Sequence, residues 1–141
     1  MRLNNIEKGI IAENYIAKQL KEYTKDEIKQ NHTWGMDIVL KTAKRDIKIE
    51  VKSANRYIRG GKQGLKSGKF QFFTNNLNKP DYFAFVINNA LSENKTVWVK
   101  GNVIREHFAD RKICKSKFAL GIPTLMQRIP KIDFSEVVGL D

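Results

Sequence analysis

The chain has little of most residues that build common sites. Its 141 residues include one cysteine, Cys114, and two histidines, His32 and His107. A single thiol excludes an internal disulfide and a zinc–thiolate cluster. Two imidazoles are too few for a histidine-built metal centre. Proline occurs three times, at Pro80, Pro123 and Pro130, and no Pro-, Gly- or Ser-rich stretch parts one region from another. With no internal repeat either, one domain over 1–141 is expected. The longest apolar run, Tyr82 to Ile87, is six residues, whereas a membrane span needs about twenty. The opening Met1-Arg2-Leu3-Asn4-Asn5 lacks the apolar core of a signal peptide. The expected setting is cytoplasmic, with no membrane partner. Acid is scarce as well: 15 Asp plus Glu stand against 26 Lys plus Arg, a formal charge of +11.

What is present points to a folded protein with a polyanionic partner. Hydrophobic residues make up 41% and aromatic residues 10%, enough for a core and too much for a disordered basic tail. The charge is unevenly placed. Residues 41–70 hold ten basic side chains and two acids, Asp46 and Glu50, leaving +8 of the +11 in that window. Such a segment suits nucleic acid. Lys18, Lys21, Lys25 and Lys29 read equally well as a solvated face.

Ile6 to about Tyr23 reads as an amphipathic helix, with Asn4 or Asn5 as its cap. A short strand is expected near Glu27 to His32, and another over Asp37-Ile38-Val39-Leu40. Ile47 to Lys52 alternates with period two, the clearest strand in the chain. Arg56 to Lys69 carries Gly60, Gly61, Gly64 and Gly68 and reads as a mobile basic loop. Phe70 to Phe73 reads as a short strand and Asn75 to Pro80 as a turn or helix end. Tyr82 to Ile87 reads as a buried strand pairing with Thr96 to Val99. Val103 to Phe108 reads as a turn or two of helix. Pro123 and Pro130 interrupt the last thirty residues, whose Leu125, Ile129, Ile132 and Phe134 are expected to pack back on the core. The order indicates an α/β or α+β domain.

Three acids and one lysine carry the chemistry. Alternation puts Glu50 and Lys52 on one face of their strand and Ile47, Ile49 and Val51 on the other. Any symmetric hairpin closing through Ala43 and Lys44, with Thr42 opposite Arg45 or Lys41 opposite Asp46, also sets Asp37 opposite Glu50. Opposed residues have Cβ atoms about 4.5–5.5 Å apart. Two carboxylates so placed repel unless a cation separates them. Few, hard oxygen ligands suit Mg²⁺, which keeps several waters and accepts a phosphate oxygen. Lys52 is placed to orient an attacking water or to stabilise charge developing on the phosphate. Taken alone, Glu-x-Lys on a strand is an ordinary solvated ion pair. Glu13 adds weight. At about 100° per residue, Ile6, Ile10, Ala12, Ile16, Ala17, Leu20 and Tyr23 fill one arc of the helix, and Glu13 falls in its middle. An acid there is costly unless paired, hydrogen-bonded or near a metal. It is either a salt-bridged acid at the rim or a member of the same site.

Lys8-Gly9-Ile10-Ile11-Ala12-Glu13, Gly35-Met36-Asp37-Ile38-Val39 and Ile49-Glu50-Val51-Lys52 resemble the PD-(D/E)XK nuclease superfamily, most closely its archaeal Holliday junction resolvase branch. The resemblance covers roughly residues 6–53, with Met36 where the superfamily name has proline; from Arg56 on nothing matches the resolvases. It implies a restriction-endonuclease-like αβββαβ core, a central mixed sheet flanked by helices. It implies Mg²⁺-dependent hydrolysis of DNA to 5′-phosphate and 3′-hydroxyl ends, with Mn²⁺ as a substitute. By position, Asp37 and Glu50 would hold the metal, with the carbonyl of Val51 as a further ligand. Glu13 would bind a metal directly or through water, and Lys52 would assist the water.

Candidate contacts to duplex or branched DNA are Ser53, Arg56, Tyr57, Arg59, Lys62, Lys66, Lys69 and Gln71, the charged ones on phosphates and Tyr57 stacking. Arg111, Lys112, Lys115 and Lys117 form a second basic cluster. Trp34 reads as core, His32 as a satisfied polar residue and Cys114 as a small buried hydrophobe. A homodimer is expected, because one domain holds one site and cutting two strands takes two. Restriction-like, homing and repair nucleases share the core, and a non-catalytic basic DNA-binding protein is the reading from another class.

Overall fold

The computed structural model describes residues 5–33, 36–58, 65–73, 79–89, 94–109 and 117–139. A first helix, α1 (Asn5–Tyr23), is followed by strands β1 (Glu27–Thr33), β2 (Met36–Lys41) and β3 (Asp46–Ile58). Then come β4 (Leu65–Ser67), β5 (Lys69–Phe73), β6 (Tyr82–Asn89) and β7 (Lys95–Lys100). Helix α2 (Gly101–Ala109), strand β8 (Lys117–Gly121) and helices α3 (Ile122–Arg128) and α4 (Phe134–Val138) complete the order. The class is α/β, as expected.

The main sheet runs β1-β2-β3-β6-β7, with β4 also paired to β3. Every pairing is antiparallel except β3 with β6, so the sheet is mixed. Between β3 and β6 the described residues hold β4 and β5, and no helix. β5 leaves the main sheet and pairs with β8 in a two-stranded ribbon.

The two faces of the sheet are covered differently. On one, Ala12, Ile16, Ala17 and Leu20 of α1 pack on Ile38, Ile49, Val51, Ala84 and Val86. On the other, Phe70 and Phe72 of β5, Ile104 and Phe108 of α2 and Leu125 of α3 close over Ala54, Phe83 and Phe85. The alternation of β3 explains the division: Ile49 and Val51 go to the helix side, Ala54 to the ribbon side.

Some expectations need correction. Among the described side chains of α1, burial begins at Ala12; Ile10 is exposed, and so are Ile11 and Tyr15. Ile10 and Ile11 thus contribute little to the core although they are apolar. Tyr23 is exposed too, although its ring meets Phe134 edge-on at 5.0 Å. The expected loop from Arg56 is partly strand. β3 continues to Ile58, and Arg56, Tyr57 and Ile58 pair with Ser67, Lys66 and Leu65 of β4. The main-chain ladder with β6, which runs to Arg56↔Asn89, carries the strand on through Ser53, Asn55 and Arg56. Pro123 does not interrupt structure; it lies in the first turn of α3, where a missing N–H costs nothing.

One joint fixes β6 against β3. The Asp81 N–H donates to the Lys48 carbonyl and the Lys48 N–H to Asp81 Oδ2, both at 2.8 Å. The Gly101 N–H donates to the Asp81 carbonyl at 2.7 Å. A Cβ at Gly101 would collide with the Pro80 carbonyl oxygen, so glycine is what lets α2 start this close to the sheet.

Candidate functional site

The site is built where β2 parts from β3. Their hairpin closes through Thr42, whose N–H donates to the Arg45 carbonyl at 3.1 Å and whose hydroxyl donates to the same oxygen at 2.6 Å. The pairing then runs Lys41↔Asp46, Leu40↔Ile47, Val39↔Lys48 and Ile38↔Ile49. This is the register expected from the short connection, and one further step sets Asp37 opposite Glu50. The ladder ends before that step. The Val51 N–H, which would otherwise seek a β2 carbonyl, donates to Oδ2 of Asp37 at 2.9 Å. The carboxylate has replaced the next rung. Main-chain N–H and C=O of one strand residue leave on the same side, so the Val51 carbonyl faces the same fork.

Glu13 reaches the fork from α1. It is 8% exposed, in the middle of the helix's buried face, and shares a hydrogen bond with Asp37. Its carboxyl is pushed up to about 8, first by burial, then by the charge of Asp37 and by that hydrogen bond. Two carboxyl groups this close hold a proton between them, or a cation.

Glu50 and Lys52 come from β3, on the ribbon side of the sheet. Glu50 is buried, at 3% exposure. Lys52 has its ammonium pushed down by burial, and Glu50 and then Asp37 oppose that shift. The lysine therefore lies within electrostatic reach of both strand carboxylates. Its Nζ is 5.3 Å from the ring centroid of Phe72, a fully buried residue of β5. That contact favours the ammonium while the dry surroundings disfavour it.

The donor set is therefore carboxylate and carbonyl oxygen, with one cation beside it. Among the described residues, no three Asp, Glu, His or Cys side chains converge into a ready metal cage. Mg²⁺ does not ask for one: it takes one or two carboxylates and fills its remaining positions with water and phosphate oxygen. Asp37, Glu50 and the Val51 carbonyl are donors of that kind.

Residues expected at the DNA fall differently. Ser53 is half-buried in β3, next to Lys52. Arg56 and Tyr57 lie in the β3 extension, and Lys66 in β4 opposite Tyr57. Lys69 and Gln71 are exposed on β5. It is Phe72, not Gln71, that β5 presents to Lys52, because Phe70 and Phe72 alternate inward and Gln71 outward. Phe72 as a neighbour of the lysine was missed; the same alternation held the signal, but not the sheet to which β5 belongs. Arg59 and Lys62 lie outside the described residues, as do Trp34, Arg111, Lys112, Cys114 and Lys115.

No protein-family model matches the chain, and no curated protein matches it. Two solved structures do resemble it. One is Hjc of Archaeoglobus fulgidus, a Holliday junction resolvase from an archaeal hyperthermophile, with a TM-score of 0.55 and 12% identity. The likeness covers 94% of this chain and 96% of that one. The other is the bacterial homing endonuclease I-Ssp6803I, with a TM-score of 0.54 and 14% identity, covering 97% of this chain and 94% of the other. Both are restriction-endonuclease-like, and that fold is shared here.

Proposed function

We propose that the chain is a Mg²⁺-dependent DNA endonuclease that hydrolyses phosphodiester bonds to 5′-phosphate and 3′-hydroxyl ends. One observation carries this reading. Asp37 is held at the β2–β3 fork by the Val51 N–H, between Glu13 and the Glu50–Lys52 side of β3, in a fold shared with two DNA-processing enzymes. A purely structural ion pair needs neither the third acid nor a carboxylate in place of a backbone rung.

Asp37, Glu50 and the Val51 carbonyl would hold the metal, with Glu13 behind Asp37 binding directly or through water. When bound, the ion would supply charge neutralisation at the phosphate and a more acidic water. The chain's own residues do the rest. Asp37 and Glu50 repel free anions until a cation is present. Lys52 orients the attacking water and offers positive charge to the phosphate oxygens. The uneven +8 between residues 41 and 70 draws the backbone toward the fork. One such site per chain supports a homodimer as the working form on two-stranded targets.

The test is cleavage. Purified protein with Mg²⁺ or Mn²⁺ is offered plasmid, linear duplex, a fork, a flap and a four-way junction. Cutting that disappears in both Asp37→Ala and Glu50→Ala supports the proposal. Intact substrates throughout would leave a DNA-binding protein. Symmetric nicks confined to the junction would mark a resolvase, and recurrent cutting at one duplex sequence a restriction-like or homing enzyme.

A further inference from the structure

Both β2 and β4 pair with β3, and they do so along the same edge. Even-numbered β3 residues bond toward β6, as Lys48 does with Asp81 at the entry to that strand. β6 still pairs with β3 at Arg56, so β4, which also pairs there, must lie on the other edge, the one used by β2. Between Ile49, where β2 ends, and Arg56, where β4 begins, that edge has no partner strand among the described residues. The register of β4 continues to Gly68 opposite Asn55, so the gap runs over Glu50 to Ala54 and is about 17 Å long at strand rise.

Odd-numbered residues turn their N–H groups into this gap. The first belongs to Val51 and is taken by Asp37. The next belongs to Ser53. It lies two residues on, about 6.6 Å, close to the spacing of successive phosphates on an extended nucleic-acid strand. The gap begins at the carboxylates and ends at the basic β3–β4 extension.

We infer that this interrupted edge is a main-chain phosphate cradle. The Ser53 N–H seats the phosphate next to the one at the fork, on the strand that is cut. A sheet edge left open is normally a hazard for pairing with another chain. Here the chain segment from residue 41 to residue 70, which contains the gap, carries +8 of the +11 formal charge, which matches a polyanion and not an added peptide strand. Contacts of this kind read backbone and carry no base preference. The cradle sets register along the strand, and rests on the nuclease reading for its purpose but not for its chemistry.

Replacing single main-chain amides by esters tests it. An ester at residue 53 removes the N–H that points into the gap; an ester at residue 54 removes the one that points to β6. Binding to a short duplex is measured in EDTA, so the outcome is independent of any cleavage. The Ser53 ester is expected to bind about tenfold to a hundredfold more weakly, the range for a charge-assisted hydrogen bond. Its salt dependence should be unchanged, because no cation is lost, and its melting temperature should fall little. The Ala54 ester is expected to do the reverse, losing stability and keeping affinity. Unchanged affinity in a folded Ser53 ester overturns the inference. So does a Ser53 ester that loses self-association while keeping DNA affinity, since the edge would then be filled by a strand of a second copy.

Discussion

Lys52 Nζ stands 5.3 Å over the ring of Phe72, a residue that belongs to a different sheet. Phe72 is held in turn by ring contacts to Phe83, Phe85 and Phe108, at 5.6, 6.1 and 5.5 Å between centroids. The lysine of the proposed site thus rests on an aromatic stack that fixes where its ammonium sits.

Phe72→Leu should destabilise the fold by about 1–3 kcal/mol through lost packing. It should also lower kcat by more than the unfolded fraction explains. Phe108→Leu, which touches the same ring and acts on the lysine only through it, should cost similar stability and lower kcat of the folded protein less than Phe72→Leu does. Urea unfolding and single-turnover cleavage on both variants make the comparison.

Asp37→Asn separates structure from chemistry. The amide still offers an oxygen to the Val51 N–H, so the fork should persist. Removing the charge relieves Glu13, whose raised pKa owes part of its shift to Asp37. Equal or higher melting temperature with cleavage reduced by at least about a hundredfold is expected. A large loss of stability would mean that the fork depends on the charge itself.

The pH dependence of stability follows from Glu13. Its carboxyl sits near 8 in the folded chain and near 4.5 ordinarily. Between those values the folded state binds more protons than the unfolded state, so stability falls as pH rises. The contribution is full below about 4.5 and lost through about 8, on the order of a few kcal/mol at most. Metal-free protein should therefore melt higher at pH 5.5 than at pH 8, other groups being equal. Glu13→Gln should flatten that slope.

Gly101→Ala tests the joint between β6 and α2. The added methyl has no room against the Pro80 carbonyl, and backbone, unlike a side-chain tip, does not yield cheaply. A loss of about 2–3 kcal/mol is expected, read from denaturant midpoints at constant m-value. Asn102→Ala, one residue on and exposed, should change little.

The β2–β3 register was legible because it is a local matter. A connection of two residues between Thr42 and Arg45 admits one parity, and parity alone sets Asp37 against Glu50. Glu13 was legible because a charge inside an apolar arc has to be accounted for. What could not be read depends on partners far along the chain. Whether Phe70 and Phe72 join the main sheet is decided by β8, some fifty residues later. The extension of β3 through Ser53 to Ile58 is carried by hydrogen bonds to β6 and β4, which leave no regular alternation in its side chains. Ile10 and Ile11 look like core by type, and only the placement of α1 shows that the sheet does not reach them.

The separate β5–β8 ribbon bears on how the protein is made. A nascent chain acquires Asp37, Glu50 and Lys52 within its first half, and the β2–β3 hairpin forms from neighbours in sequence. The strand that holds Phe72 in place is completed only by Lys117–Gly121. Carboxylates and lysine are therefore present on the ribosome well before the wall beneath the lysine is. Competence is tied to synthesis of the last quarter of the chain, so a chain stopped before Lys117 is expected to lack the seat for Lys52 while keeping all four residues of the proposed site.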